Sequence, residues 1–168
     1  LNMLNIPYIH ENIEADLISS KLSSLGYVDM VISEDMDHLT NGTTNLIRDF
    51  NVNNNVAKCY SLSKIHSSLG LIHDKFISLC ILFGCDYVKR IRGLGTVSSF
   101  NIIKGIDDIN IENIIKKIQI SKKLVVPNNY SDEFKSAFKI FKNYELDLNS
   151  IVIYNAKIEG NKLIVNEL

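Results

Sequence analysis

Five carboxylates fall in three short stretches of this sequence: Glu14 with Asp16, Asp35 with Asp37, and Asp86. Each stretch borders an apolar run, where an ordered element ends and a side chain can point into a cleft. If all five meet, they cannot stay ionised together without a cation, because two charges about 4 Å apart repel by roughly 4 kcal/mol at an effective dielectric of about 20. Hard oxygen donors of this kind select magnesium or manganese over zinc. Two such ions, roughly 3.5 to 4 Å apart, would activate a water and stabilise the leaving oxygen of a phosphodiester. On spacing alone, a set of solvated surface acids is the alternative.

A second group of residues points to a phosphate. After Asp86 come Ile91-Arg92-Gly93-Leu94-Gly95, two glycines around one apolar residue, and then a second apolar-periodic run with Val97, Phe100 and Ile103. The pattern predicts helix, hairpin, helix. Glycines let the backbone approach a ligand closely, and the start of the second helix offers free N–H groups and a dipole that favours an anion. Lys89, Arg90 and Arg92 add positive charge beside it. Taken alone, a glycine turn that merely connects two helices is the competing explanation.

The elements that must position these groups follow from periodicity. Leu4 to Ile9 reads as a buried strand or its end. Glu14 to Leu25 reads as a helix with Ala15, Ile18, Leu22 and Leu25 on one face, closed by Gly26. Val28 to Ile32 is a brief strand, so strand, helix, strand predicts a parallel α/β unit with Asp35 and Asp37 at a strand's carboxyl end. In an extended segment these two acids face the same way. Glu14 and Asp16 lie about 200° apart in a regular helix, so they share a centre only from its opening turn.

Asn45 to Phe50 is a further strand and the Asn-rich 51–55 a surface turn. Leu62 to Leu69 and Asp74 to Phe83 are helices around Gly70, and Gly84 stops the second just ahead of Asp86. Ile109 to Ile118 continues as helix, and 122–130 is a basic loop. Ser131 is the expected cap of a helix with the apolar stripe Phe134, Ala137, Phe138 and Phe141, a core-packing face. Ile151 to Tyr154 and Lys162 to Val165 read as strands, the latter preceded by a Gly160-Asn161 turn.

Bulk properties bound the class. A chain of 168 residues with 46% hydrophobic and 22% charged residues fits one ordinary globular domain with a sizeable core. No apolar run approaches the roughly 20 residues of a membrane helix. Cys59, Cys80 and Cys85 lack the spacing of a zinc site and read as core thiols in a reducing compartment. The four histidines are scattered, and His38 lies nearest the acids. Residues 1–40 carry seven acids and one lysine, although the net charge of the whole chain is only −1. An acidic front needs cations, and the basic remainder suits phosphates.

Taken in order, IPY with Glu14-Ala15-Asp16, SEDMDHLTNG, CILFGCDY, IRGLG and VPNNY resemble the motifs of the flap endonuclease and exonuclease superfamily, the Rad2-type structure-specific 5′ nucleases. The resemblance implies an α/β fold: a partial parallel sheet flanked by helices, a helix-hairpin-helix DNA-binding element and a small C-terminal β-hairpin. It implies three regions: 1–75 as an internal metal-binding part, 76–130 as the helix-hairpin-helix region, and 131–168 as a closing helix and hairpin. Glu14 and Asp16 match acids that hold one magnesium, and Asp35, Asp37 and Asp86 those that hold another, with manganese able to substitute. Gly93 and Gly95 match the hairpin that grips duplex DNA around a potassium ion. Val97 and Ser98 stand where the family has basic residues, which implies either a weaker hairpin grip or a shift of phosphate contact onto Lys89, Arg90 and Lys104.

The implied activity is magnesium-dependent hydrolysis of DNA at single-strand to double-strand junctions in replication and repair. A non-catalytic DNA-binding portion of such a nuclease is the alternative. The motifs divide between the flap endonuclease and exonuclease branches: EDMD with LT and FISLCILFG lean to the first, Asp16 and GCDY to the second. Further metal-binding aspartates of the family precede the part that corresponds to Leu1. The implied partner is branched or nicked DNA and not a membrane, with a monomer acting inside the cell, in nucleus, cytoplasm or a viral factory. No sliding-clamp motif is visible.

Overall fold

The computed structural model describes residues 1–142, 147, 151–160 and 162–165. The chain divides into two compact units, Leu1–Ile65 with Glu145–Leu168, and His66–Tyr144.

In the first unit, helix α1 (Ala15–Ser24) buries Ile18 and Leu22 on the expected face. Leu25 lies beyond the last turn and is exposed. Gly26, at φ +81°, lets Tyr27 N–H reach back to the Leu22 carbonyl at 2.9 Å, which terminates the helix. The expected strand at 28–32 is only Val31–Ile32 (β2). Its parallel neighbour is β3 (Asn45–Asn51), with Val31 opposite Leu46 and Ile32 opposite Ile47. The crossover runs through residues 33–44 and a one-turn helix α2 (Asp37–Thr40), about the shortest path a parallel pair allows.

The parallel unit is therefore not the one expected across α1. The first strand, β1 (Tyr8–Ile9), pairs antiparallel with β5 (Ile153–Tyr154), and the Tyr8 and Tyr154 rings stack at 4.6 Å. Both residues of β1 are half-buried, not buried. Strand β4 (Val56–Ser61) forms a hairpin with β3 across the Asn-rich turn, and β6 (Ala156–Glu159) forms one with β7 (Lys162–Val165). Strand β4 was not legible, since it is mostly exposed and its VAKCYS sequence has no clean alternation, whereas β6 alternates as AKIE and is the first arm of the C-terminal hairpin. Gly160 turns at φ +59°, while Asn161 lies outside the described residues.

The second unit is helical. Helix α3 (Leu62–Leu69) enters it, and α4 (His73–Phe83), α5 (Thr96–Lys104), α6 (Ile111–Lys122) and α7 (Tyr130–Lys142) build it. Its core joins Ile77, Ile81 and Leu82 of α4, Ile114 and Ile118 of α6, and Phe134, Ala137 and Phe141 of α7. Two local expectations fail. Val97 is exposed, because the buried face of α5 runs through Ser99, Ile102 and Ile103. Ser131 sits inside α7, whose start is held by the Asn129 carbonyl accepting from Asp132 and Glu133 N–H, both at 3.1 Å.

Candidate metal and phosphate site

The acids of the first unit stand at two element starts. Glu14 is the residue before α1, with extended backbone and no side-chain cap bond, and Asp16 lies in the first turn. The pair therefore occupies the opening turn, the only place where both can serve one centre. Asp35 and Asp37 follow β2 as expected, but the backbone between them is not extended. Met36 is already helical at φ −78°, ψ −15°, and Asp35 Oδ1 accepts the Asp37 N–H at 2.8 Å. A short carboxylate side chain competes for a nearby backbone donor in just this way and starts the α2 turn. Asp35 is exposed and Asp37 half-buried. The neighbouring Glu34 is turned to the sheet edge, where it accepts from Asp49 N–H at 3.0 Å and lies 3.5 Å from Arg48 Nη2.

Beneath Asp16 is a buried chain of polar groups. His38 Nε2 lies 3.2 Å from Asp16 Oδ1 without the alignment of a hydrogen bond, and it has no other partner. His38 Nδ1 is 2.8 Å from Ser20 Oγ, which accepts from Thr43 Oγ1 at 3.0 Å. All three residues are buried. His38 was noted in the sequence only for its closeness to the acids; nothing there pointed to Ser20 or Thr43, since a serine on a helix face gives no sign of its burial.

In the second unit, Asp86 and the glycine turns lie on one segment, residues 84–95. Gly84 at φ +95° ends α4, and Cys85 and Val88 exchange backbone bonds at 3.0 and 3.2 Å, so that Asp86 and Tyr87 form an exposed tip. Val88, Ile91 and Leu94 anchor the segment in the core, leaving Lys89, Arg90 and Arg92 outside. Leu94 N–H bonds to the Ile91 carbonyl at 3.1 Å, and Gly93, at φ +86°, takes the left-handed position of that turn. Gly95 precedes α5, whose first turn has no side-chain cap. Lys104 stands at the other end of α5, its Nζ 5.4 Å from the Phe100 ring centre. Asp86, Lys89 and Arg90, with Pro127, Asn129 and Glu133, line a cleft of about 340 Å³. Burial pushes the neighbouring Tyr130 phenol well above its ordinary range.

Residues 5–86 match the XPG I-region family. Flap endonuclease 1 of Entamoeba histolytica is 35% identical over 162 residues, covering 90% of this chain and 42% of that protein. Flap endonuclease-1 of Methanococcus jannaschii has a structure similar to this one at TM-score 0.67 and 21% identity, covering 89% of this chain and 42% of that one. Human GEN1 bound to Holliday junction DNA is similar at TM-score 0.64 and 27% identity, covering 89% of this chain and 39% of that one. Over most of its length the chain is similar to flap endonucleases of the Rad2-type 5′ nuclease superfamily. It spans about two fifths of the length of the flap endonuclease it matches. All five acids lie within the XPG I-region, and the positive residues from Lys89 to Lys104 follow it. Among the described residues no three His, Cys, Asp or Glu side chains converge on one point. The donors still suit a hard cation of the kind Rad2-type sites imply: all are carboxylates, and Asp16 keeps 45% of its side chain exposed above a buried imidazole nitrogen that lacks a partner.

Proposed function

We propose that this chain is part of a metal-dependent, structure-specific 5′ nuclease that hydrolyses DNA phosphodiesters where single strand meets duplex. The observation that carries the reading is the position of five acids inside the matched XPG I-region, four of them at element starts. Glu14 and Asp16 are assigned to one divalent ion, and Asp35, Asp37 and Asp86 to another. Bound magnesium or manganese supplies an activated water and charge for the leaving oxygen. Asp35 has a second duty. Its Oδ1 holds the bend into α2, so the other oxygen is the one offered to the ion.

Helix α4, the Ile91–Gly95 turn and α5 are read as the helix-hairpin-helix, with Gly93 and Gly95 meeting the sugar-phosphate strand and a potassium ion. Lys89, Arg90, Arg92 and Lys104 supply its charge. The three functional regions are 1–75, 76–130 and 131–168, the protein acts on branched or nicked DNA as a monomer, and its place is inside the cell. In the complete protein, Asp35→Ala, Asp37→Ala or Asp86→Ala should remove most cleavage of a 5′-flapped duplex in magnesium while duplex binding persists. Equal turnover by the Asp86→Ala protein would refute its role.

A second reading, a DNA-binding portion without catalysis of its own, is favoured by the lack of a three-group cluster among the described residues. Calorimetric titration of the chain with magnesium separates the two, since a binding-only portion need not take up the ion.

A further inference from the structure

We propose that His38 is a positioning residue that sets the Asp16 carboxylate for metal binding, held in the required tautomer by Ser20 and Thr43. The inference rests on the reading of Asp16 as a metal ligand.

The tautomer follows from the hydroxyl chain. Thr43 Oγ1 donates to Ser20 Oγ, so the hydrogen of Ser20 needs an acceptor, and in a site where Ser20 is 0% exposed that acceptor is His38 Nδ1, 2.8 Å away. With Nδ1 accepting, the ring hydrogen sits on Nε2. That nitrogen faces Asp16 Oδ1 at 3.2 Å, out of line, and finds no other partner in a residue only 1% exposed. A buried donor left in this condition costs about 1 to 3 kcal/mol, which a small rotation of Asp16 recovers.

The ring is the fixed member of the pair. A second hydroxyl link, Ser23 Oγ to Thr44 Oγ1 at 2.9 Å with Thr44 N–H also on Ser23 Oγ, ties α1 to the loop after α2. His38 itself belongs to α2, one residue after Asp37. The imidazole therefore joins the helix that carries Asp16 to the turn that carries Asp35 and Asp37, and orients one acid relative to the other two. Groups that orient a metal ligand from behind commonly change metal affinity 10- to 100-fold when removed.

Two measurements test this. Long-range ¹H–¹⁵N spectra of the chain should show His38 with its hydrogen on Nε2 and an unprotonated, hydrogen-bonded Nδ1; a hydrogen on Nδ1 would overturn the proposal. Mn²⁺ binding, followed by the paramagnetic resonance of the free ion, should weaken about 10-fold or more in His38→Phe and recover in His38→Gln, which returns an N–H donor near the Nε2 position. Asp16→Asn separates the two layers of the argument. If Asp16→Asn loses affinity while His38→Phe binds as the parent does, the positioning role falls and the ligand stands. If Asp16→Asn also binds as the parent does, the ligand assignment falls and the positioning role with it. Where His38→Phe does not fold, the tautomer and the Gln variant decide.

Discussion

Gly93 and Gly95 sit two residues apart and do different work. Gly93 holds φ +86°, and a Cβ there would lie 3.1 Å from Leu124 Cδ2. Alanine meets both the left-handed backbone penalty of about 1 to 2 kcal/mol and a crowded neighbour. Gly95 has ordinary backbone at φ −81° and open space where a Cβ would go. Gly93→Ala should therefore lower thermal stability, whereas Gly95→Ala should melt as the parent does. If the turn meets a sugar-phosphate strand, Gly95→Ala still loses duplex affinity, because the added methyl occupies the approach path. Unchanged affinity in a folded Gly95→Ala protein would remove the turn from the interface.

At the scale of elements, the helical unit depends on two features. The α7 stripe is the first, and Phe134→Ala, removing a ring that is 3% exposed, should cost about 3 to 5 kcal/mol in denaturant unfolding. The α3–α4 corner is the second. Burial there lowers the His66 pKa from its ordinary 6.5, with His66 Nε2 3.3 Å from His73 Nδ1 and the ring edge-on to Phe76 at 5.6 Å. Because the folded state favours the neutral ring, the unfolded chain takes up the proton first as pH falls, and stability should decline below about pH 6.5 until the folded form also protonates. His66→Gln should flatten that part of the curve. A melting temperature that holds or rises between pH 7 and pH 5 in the parent, relative to His66→Gln, would show the assignment to be mistaken.

For the molecule as a whole, charge placement matters more than net charge. Lys89, Arg90 and Arg92 are all exposed on one short segment of the second unit, and the chain's total charge of −1 conceals them. Duplex affinity should fall steeply with salt, at a slope of about −0.9 per phosphate neutralised. Arg92→Ala should reduce that slope by about 0.9 if its guanidinium meets a phosphate. A slope identical to the parent's would place Arg92 off the DNA. If the phosphate contacts come from side chains and backbone of this segment, the same titration without divalent ions should change little.

Much of this architecture could be read along the chain, for reasons that are local. The helices at 15–24, 62–69 and 73–83 announce themselves through apolar spacing and a terminal glycine, and Gly84 and Gly93 sit where a positive φ requires a break. The acids and their order were likewise visible, as was their placement at the ends of elements. Tertiary structure alone decided the rest. It paired β1 with β5 at the far end of the sequence, exposed Val97 on a helix whose period would bury it, and turned Asp35 and Asp37 into a capped bend. It also buried Ser20, His38 and Thr43 together under Asp16. Periodicity reports which side of an element is apolar, but which distant polar groups meet behind it depends on how two elements are docked, and no local pattern encodes that.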